Sequence, residues 1–405
     1  MSLPPPPSHF STVAPTSTVA PLQVLWGVIG CGSVCEVKSL PALYKTPRSS
    51  VVALCRRDRE KLADFQERHG LREAELFEEA EDLVKHMSDL AASTSPLSVC
   101  AVYIATPVST HVPLTELCLS FSNLAVYCEK PLSRSSLESL PLLSLSSSFP
   151  PVFAAYYRRC LPKFQAIKAA LPSLGAISSV QVTLLQRRHL SPPASKTGWR
   201  YDKQESGGGL LLDLGSHIID LLDYLLGPIT RASGCAVRVN GDSPGGEDVE
   251  DSVTGSWLHT LGGSRVPAAA TFNFAASRDF DEVCIIGAAA ALRFSAFTDL
   301  PAMVASGSAA VWAAEVPVEF ESFGGVQEHV HGPLVKKIVD RLLDGGREGG
   351  EDCCVCTAEI AHRTQVVMDA LLNGREGHEA DYLREVRSEK GGGREEGGGT
   401  RDIGC

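Results

Sequence analysis

Long apolar runs are missing from this sequence, and none of its stretches reaches the length needed to cross a bilayer. Basic charge is also in short supply. Its 37 Lys and Arg face 48 Asp and Glu, for a formal net charge of -11. Nucleic acids and anionic membranes select basic surfaces, so neither is expected as a partner. Met1 to Gln23 contains no Lys or Arg and is rich in Pro, Ser and Thr. It lacks both the basic start of a secretory signal and the arginines of a transit peptide. A disordered leader over 1–23 and a cytoplasmic protein are expected, with organelle targeting left open. Cysteine is not scarce, at 13 residues, but zinc-like spacing is. Cys353, Cys354 and Cys356 have no second ligand pair at that distance, so no metal site is expected. The remaining thiols are scattered through predicted strands and helices, which fits free buried cysteines rather than a disulfide scaffold.

What is present is a core. Hydrophobic residues are 44% of the chain and charged residues 21%, and 405 residues leave room for two domains. From Val24 to Ala155 apolar, β-branched runs alternate with helical spacing. Strands are predicted at Val24–Ile29, Ser50–Cys55, Val99–Ile104, Leu124–Cys128 and Val152–Ala155. Helices are predicted near Val34–Tyr44, Arg59–His69 and Pro113–Leu119. That alternation implies a doubly wound parallel sheet with right-handed crossovers over 24–155. Beyond Tyr156 a helix at Lys163–Leu171, a long strand at Ile177–Gln186 and an amphipathic helix at Leu210–Leu226 lead into consecutive strands up to Phe294. Strands without intervening helices imply an antiparallel sheet, so 156–373 is expected to be an α+β domain. Its last helices are predicted at Pro333–Leu343 and Thr357–Leu372. The glycine- and charge-rich 374–405 is expected to be a disordered tail.

The first strand runs into Gly30-Cys31-Gly32-Ser33-Val34-Cys35. This is a dinucleotide-binding turn with Cys35 in place of its last glycine. Gly30 permits the tight turn, and Gly32 lets a pyrophosphate approach the backbone at a helix N-terminus. The second strand ends in Cys55-Arg56-Arg57-Asp58. Arginines where a ribose-binding carboxylate would sit favour NADP over NAD; the other reading gives the ribose to Asp58. The third strand runs into Ala105-Thr106-Pro107, followed by His111, and the fourth into Glu129-Lys130-Pro131. Both lie past the carboxyl ends of parallel strands, where open sheets bind ligands. Lys130 there can hold a reacting oxygen. In Gly207-Gly208-Gly209-Leu210-Leu211-Leu212-Asp213-Leu214-Gly215-Ser216-His217, Asp213 and His217 are four apart on an otherwise apolar helix. A carboxylate and an imidazole are costly in such a stretch unless they serve a site. The three glycines would let the helix start pass close to a ligand or to the other domain.

Together these segments resemble the glucose-fructose oxidoreductase, inositol dehydrogenase and rhizopine catabolism (Gfo/Idh/MocA) family. Arg159 in Tyr157-Arg158-Arg159, Trp199-Arg200, Val330-His331-Gly332-Pro333-Leu334 and Ala361-His362-Arg363-Thr364 extend the resemblance to about Leu22–Leu372. It implies a Rossmann domain followed by an open-faced antiparallel sheet that supports a homo-oligomer, dimer or tetramer. It implies NAD(P)-dependent hydride transfer between nicotinamide and a hydroxyl or carbonyl carbon of a small molecule, a sugar or polyol. It further implies Lys130, Asp213 and His217 as the catalytic set and Arg159 and Trp199 at the substrate. His217 would exchange the hydroxyl proton, Asp213 would orient the substrate or the imidazole, and Lys130 would hold the substrate oxygen. Gly30, Gly32, Ser33, Val34, Arg56, Arg57, Thr106, Pro107, His111, Glu129 and Lys130 fall to the cofactor. Val108 stands where the family usually has Asn, and Cys35 departs from the phosphate turn. Two other readings remain: an enzyme of this fold that keeps its cofactor through a non-redox reaction, and a non-catalytic NADP-binding sensor.

Overall fold

The computed structural model describes residues 22–93, 98–146, 151–187, 202–239, 249–306, 315–318, 329–344, 354–374 and 377–378. The apolar run at the start forms β1 (Gln23–Ile29), buried on both faces, as a central parallel strand must be. Its neighbours are β2 (Ser49–Cys55), β3 (Glu75–Phe77), β4 (Ser98–Ile104), β5 (Ala125–Cys128) and β6 (Val152–Ala154). They form a six-stranded sheet in the order β3-β2-β1-β4-β5-β6, with every pair parallel. The order reverses between β1 and β4, and a crevice opens beyond the carboxyl ends of those two strands. The helices are α1 (Leu40–Lys45), α2 (Arg59–Arg68), α3 (Ala80–Ser93), α4 (His111–Ser120) and α5 (Ser136–Ser146).

The second unit begins with α6 (Pro162–Ala170) and β7 (Ile177–Arg187), passes through the short α7 (Lys203–Ser206), and buries the whole of α8 (Ser216–Leu226). The chain then runs through β8 (Ile229–Val237), β9 (Ser252–Leu261), β10 (Ser264–Ala276), β11 (Phe280–Gly287), β12 (Ala290–Phe294), β13 (Met303–Ser306) and β14 (Glu315–Pro317). With β15 (Gly377–His378) they make a nine-stranded sheet in the order β14-β13-β12-β11-β7-β10-β9-β8-β15. The expected antiparallel sheet is in fact mixed. Its central pair, β7 and β10, is parallel, because α7, α8 and two strands intervene before the chain returns beside β7.

The two closing helices, α9 (Gly332–Leu343) and α10 (Ala358–Asn373), are not confined to the second unit, although α10 packs Leu371 against Gly234 and Gly255 of β8 and β9. The segment ahead of α9 reaches β5, where the Tyr127 hydroxyl meets His331 Nδ1 at 2.7 Å. The segment ahead of α10 adds to β6, with Ala154 N–H donating to the Cys356 carbonyl at 2.9 Å. Further along α10, His362 Nδ1 lies 2.9 Å from Ser139 Oγ of α5. The sequence boundary near 155 therefore marks a change of sheet, while the closing helices are shared by both units.

Candidate active site

The crevice is built from strand ends. Gly30 has φ +92°, and a Cβ there would lie 2.6 Å from the Ala105 carbonyl oxygen. Only glycine lets the β1 turn press against the end of β4. At Gly32 a Cβ would meet nothing nearer than 4.0 Å, so the space in front of that backbone is open to a ligand. The helix that follows makes its first bond from Glu36 N–H to the Gly32 carbonyl at 2.9 Å. The amides of Ser33, Val34 and Cys35 precede that bond, where a helix start presents N–H groups to an anion. This cradle fits a dinucleotide pyrophosphate. Cys35 is fully buried beside Cys31, and its contact with Cys31 and its burial both push its thiol pKa up. Its turn is wide, because the carbonyl of Cys35 accepts from Leu40 N–H, five residues on. A wide turn accommodates the side chain that replaces the usual glycine.

Beside the turn, Arg56 donates from Nη1 to the Cys31 carbonyl at 2.9 Å, while Arg57 is exposed. Asp58, the alternative ribose ligand, caps α2: its carboxylate accepts from Lys61 N–H at 3.1 Å and also pairs with the Lys61 ammonium. Thr106 and Pro107 follow β4 at half-buried positions. His111 is buried between the two strand ends, with Nδ1 2.8 Å from the Pro131 carbonyl and Nε2 3.0 Å from the Thr106 carbonyl. Burial lowers its pKa, so it is a strut across β4 and β5 rather than a free base.

Glu129 is also buried. Its carboxylate accepts from the Tyr103 hydroxyl at 2.7 Å and from the Lys130 amide at 3.2 Å, and His331 Nε2 stands 3.8 Å away. The strand end that carries Lys130 is thus fixed from below. The Lys130 ammonium reaches across to the second unit and donates to the Asp213 carboxylate and carbonyl, each at 2.6 Å. Asp213 was expected to share a helix face with His217. It lies instead in a wide turn over Leu211–Gly215, closed by Ser216 N–H donating to the Leu211 carbonyl. That turn directs its carboxylate to Lys130.

His217 opens α8 and is 5% exposed. Tyr156, Tyr157 and Phe297 surround its ring edge to face, at centroid distances of 5.9, 5.5 and 6.3 Å. Nδ1 has no hydrogen-bond partner among the described residues. Burial first, then Arg158, Lys130, Lys38 and His331, holds the imidazole well below its usual pKa. It is therefore neutral and able to accept a proton. The triple glycine brings this helix start against both neighbours. A Cβ on Gly207 would lie 2.6 Å from Arg134 of the first unit, and one on Gly209 would lie 2.4 Å from the Glu250 carbonyl. The Glu250 carboxylate accepts from Gly209 N–H at 2.9 and 3.0 Å.

Arg159, expected at the substrate, is placed elsewhere. It is 2% exposed and bound to Asp220 at 2.7 Å and Asp223 at 3.2 Å, both on α8. Its neighbour Arg158, which the sequence did not single out, faces the rings around His217 instead. The only hint was the doubled arginine in a tight turn, where adjacent side chains point apart. Trp199 and Arg200 lie outside the described residues.

Residues 24–143 match a family model described as an oxidoreductase family with an NAD-binding Rossmann fold, and residues 164–293 match the GFO/IDH/MocA C-terminal domain. Oxidoreductase P35 of Formosa agariphila is 32% identical over 353 residues, covering 86% of this chain and 98% of that protein. Levoglucosan dehydrogenase of Pseudarthrobacter phenanthrenivorans is 28% identical over 175 residues, 42% of this chain and 44% of the relative. A solved levoglucosan dehydrogenase in complex with NADH and levoglucosan superposes with a TM-score of 0.69 at 20% identity, covering 87% of this chain and 97% of that one. The last comparison speaks for the fold alone. Two domain models matched in chain order and a relative aligned along nearly its whole length make the chain a member of the Gfo/Idh/MocA family, an NAD(P)-binding oxidoreductase.

Proposed function

We propose that the chain is an NADP-preferring dehydrogenase or reductase that interconverts a hydroxyl and a carbonyl on a sugar or polyol. The observation that carries this reading is the neutral, enclosed imidazole of His217 beside a Lys130 ammonium held by Asp213. A nicotinamide dinucleotide held by the Gly30–Cys35 turn supplies the hydride acceptor or donor. Lys130 holds the substrate oxygen, and Asp213 keeps the ammonium aimed. His217 takes the hydroxyl proton in oxidation and returns it in reduction. Arg56 and Arg57 favour the 2′-phosphate, since the Asp58 carboxylate is already engaged as the cap of α2. Known relatives act on related compounds: by name, levoglucosan and inositol are substrates of two of them. The outer face of the nine-stranded sheet carries small and polar side chains such as Gln181, Thr254, Ser256 and Ala269. We assign a dimer or tetramer contact to it, which light scattering on a sizing column tests.

The reading is tested by titrating the protein with NADPH and NADH, following tryptophan fluorescence, beside an Arg56→Ala/Arg57→Ala variant. NADPH binding that weakens in the variant, followed by turnover on a sugar and polyol panel, supports it. Equal binding of both nucleotides, unchanged in the variant, overturns the NADP preference. Tight binding with no change in nicotinamide absorbance on any substrate overturns the redox reading in favour of a sensor or a non-redox enzyme.

A further inference from the structure

Arg158 is 7% exposed, and its charge has no carboxylate within ion-pair distance among the described residues. The other buried cations near it are satisfied. Arg159 has Asp220 and Asp223, Lys130 has Asp213, and Lys163 donates to the Ser295 and Thr298 carbonyls. Among the described residues Arg158 donates from Nε to the Ala296 carbonyl at 2.9 Å and to the Tyr157 side chain, and its Nη1 is buried with no acceptor. Asp281, the acid that acts most on it through space, accepts from Ser295 Oγ and Phe297 N–H with one carboxylate oxygen, and its other oxygen is buried with no partner among the described residues, outside ion-pair distance of Arg158.

The guanidinium lies against two aromatic rings, 4.9 Å from the Tyr157 centroid and 4.4 Å from that of Phe297. Those are two of the three rings that enclose His217. The unpaired cation and the proposed base therefore share walls. Burying an unpaired guanidinium is expensive, and the cost falls when a ligand brings the missing charge. One unpaired cation matches one negative charge. Its Nε is spent on a carbonyl and its carbon lies over two rings, so the unmet donor is Nη1, which suits a carboxylate oxygen received in the guanidinium plane.

Building on the proposed oxidoreductase function, we propose that Arg158 is a specificity-determining residue that binds a carboxylate on the substrate, making the substrate a sugar acid rather than a neutral sugar. A bound carboxylate would also cancel the charge that, after burial, most depresses the His217 imidazole. Substrate binding would then raise the proton affinity of His217 while the Lys130, Lys38 and His331 contributions stay in place.

The test compares neutral and acidic partners of one skeleton, D-glucose with D-glucuronate and D-galactose with D-galacturonate, together with glucose 6-phosphate. The full chain is used as wild type, Arg158→Lys and Arg158→Met. The expected wild-type preference for the acid, as a ratio of kcat/KM, is tenfold or more. It should drop at least tenfold in Arg158→Met, through KM, and survive in part in Arg158→Lys. The acid limb of the pH profile of kcat/KM should move to higher pH in Arg158→Met, a shift that a purely structural role would not produce. Neutral sugars turned over as well as the acids, a preference for the phosphate ester, or an equal loss for acid and neutral partners would each overturn the assignment. Calorimetric binding of D-glucuronate to the NADP-loaded protein separates this proposal from the redox reading. Binding that Arg158→Met abolishes, without turnover, keeps Arg158 as a carboxylate site and sinks the redox reading. No acid binding to the wild type sinks the Arg158 proposal whatever the turnover.

Discussion

Burial is the chief cause that holds the His217 imidazole neutral, and the cations around it push the same way. A base that must be neutral to accept a proton loses activity only when pH falls through its own pKa. The oxidation rate, as kcat/KM, should therefore stay level from pH 8 down past the usual histidine value near 6.5 and fall only below it. A limb centred at 6.5 or higher would show an imidazole less enclosed than this one. Replacing the ring, as His217→Asn, should lower kcat by roughly 10²–10⁴-fold, the usual contribution of a general base. Dinucleotide affinity should hardly change, since the glycine turn and not His217 forms the cradle. Gly30→Ala should do the reverse. Its positive φ and the Ala105 carbonyl 2.6 Å from the new Cβ force the turn to open, at a cost of about 1–3 kcal/mol. Weakened dinucleotide binding and a lower melting temperature, measured by fluorescence and calorimetry, are the expected outcome.

Two elements carry the site, and both start with a turn wider than an α-helix, at Cys35–Ser39 and at Leu211–Gly215. Such turns recur where a helix must aim a group rather than pack it. They also mark the limit of what the sequence made legible. Asp213 and His217 stand out because charged groups in an apolar run are visible locally, and Lys130 because it follows the end of a parallel strand; their grouping as one catalytic set comes from the family resemblance. The direction of Asp213 is not visible, because an i,i+4 argument assumes regular helical pitch and the wide turn rotates the carboxylate toward Lys130. The same holds for Arg158 and Arg159, which a short 3₁₀ turn at Tyr157–Cys160 sends to opposite tasks. The missed elements have ordinary causes. The edge strand β3 is three residues long, α3 buries only Leu83, Val84 and Met87, and α5 contains Pro141. Arg159 nevertheless matters to the element it docks, since it ties the turn before α6 to Asp220 and Asp223 on α8. Arg159→Met should cost about 3–5 kcal/mol by stranding a buried acid, with Arg363 still compensating Asp223. Denaturant melts would show it. A loss under 1 kcal/mol would mean that the clamp is dispensable.

On the scale of the whole molecule, acid is the natural stress for this fold, because its interior stores neutral histidines. His111, His217, His259, His331 and His362 are buried, and burial is the leading cause that lowers each pKa. Burial carries His331 and His362 from the ordinary 6.5 to about 4. The sign follows from proton counting. Between the folded and unfolded values the unfolded chain binds more protons, so stability rises with pH there; it is complete above 6.5 and is lost as pH falls. Each of these two histidines would withdraw about 3 kcal/mol by the time the pH reaches its folded value. Asp220, Glu250, Asp281 and Asp369 act in opposition, since burial raises their pKa values and favours the fold as they take up protons. Their gain sets in only as pH falls through their raised folded values and is complete near the ordinary 3.8 and 4.5, whereas the loss begins at the unfolded imidazole value of 6.5 and is summed over five histidines. The melting temperature should therefore drop steadily from pH 7 to pH 5. In His362→Gln, which keeps a polar partner for Ser139, the drop should be shallower even if the melting temperature at pH 7 is lower. A flat profile in the wild type would mean that the buried imidazoles find counter-charges on protonation and that the fold carries no acid-sensitive store. A wild-type drop with an unchanged slope in His362→Gln would move the sensitivity to the histidines around the crevice, where a bound dinucleotide should then relieve it.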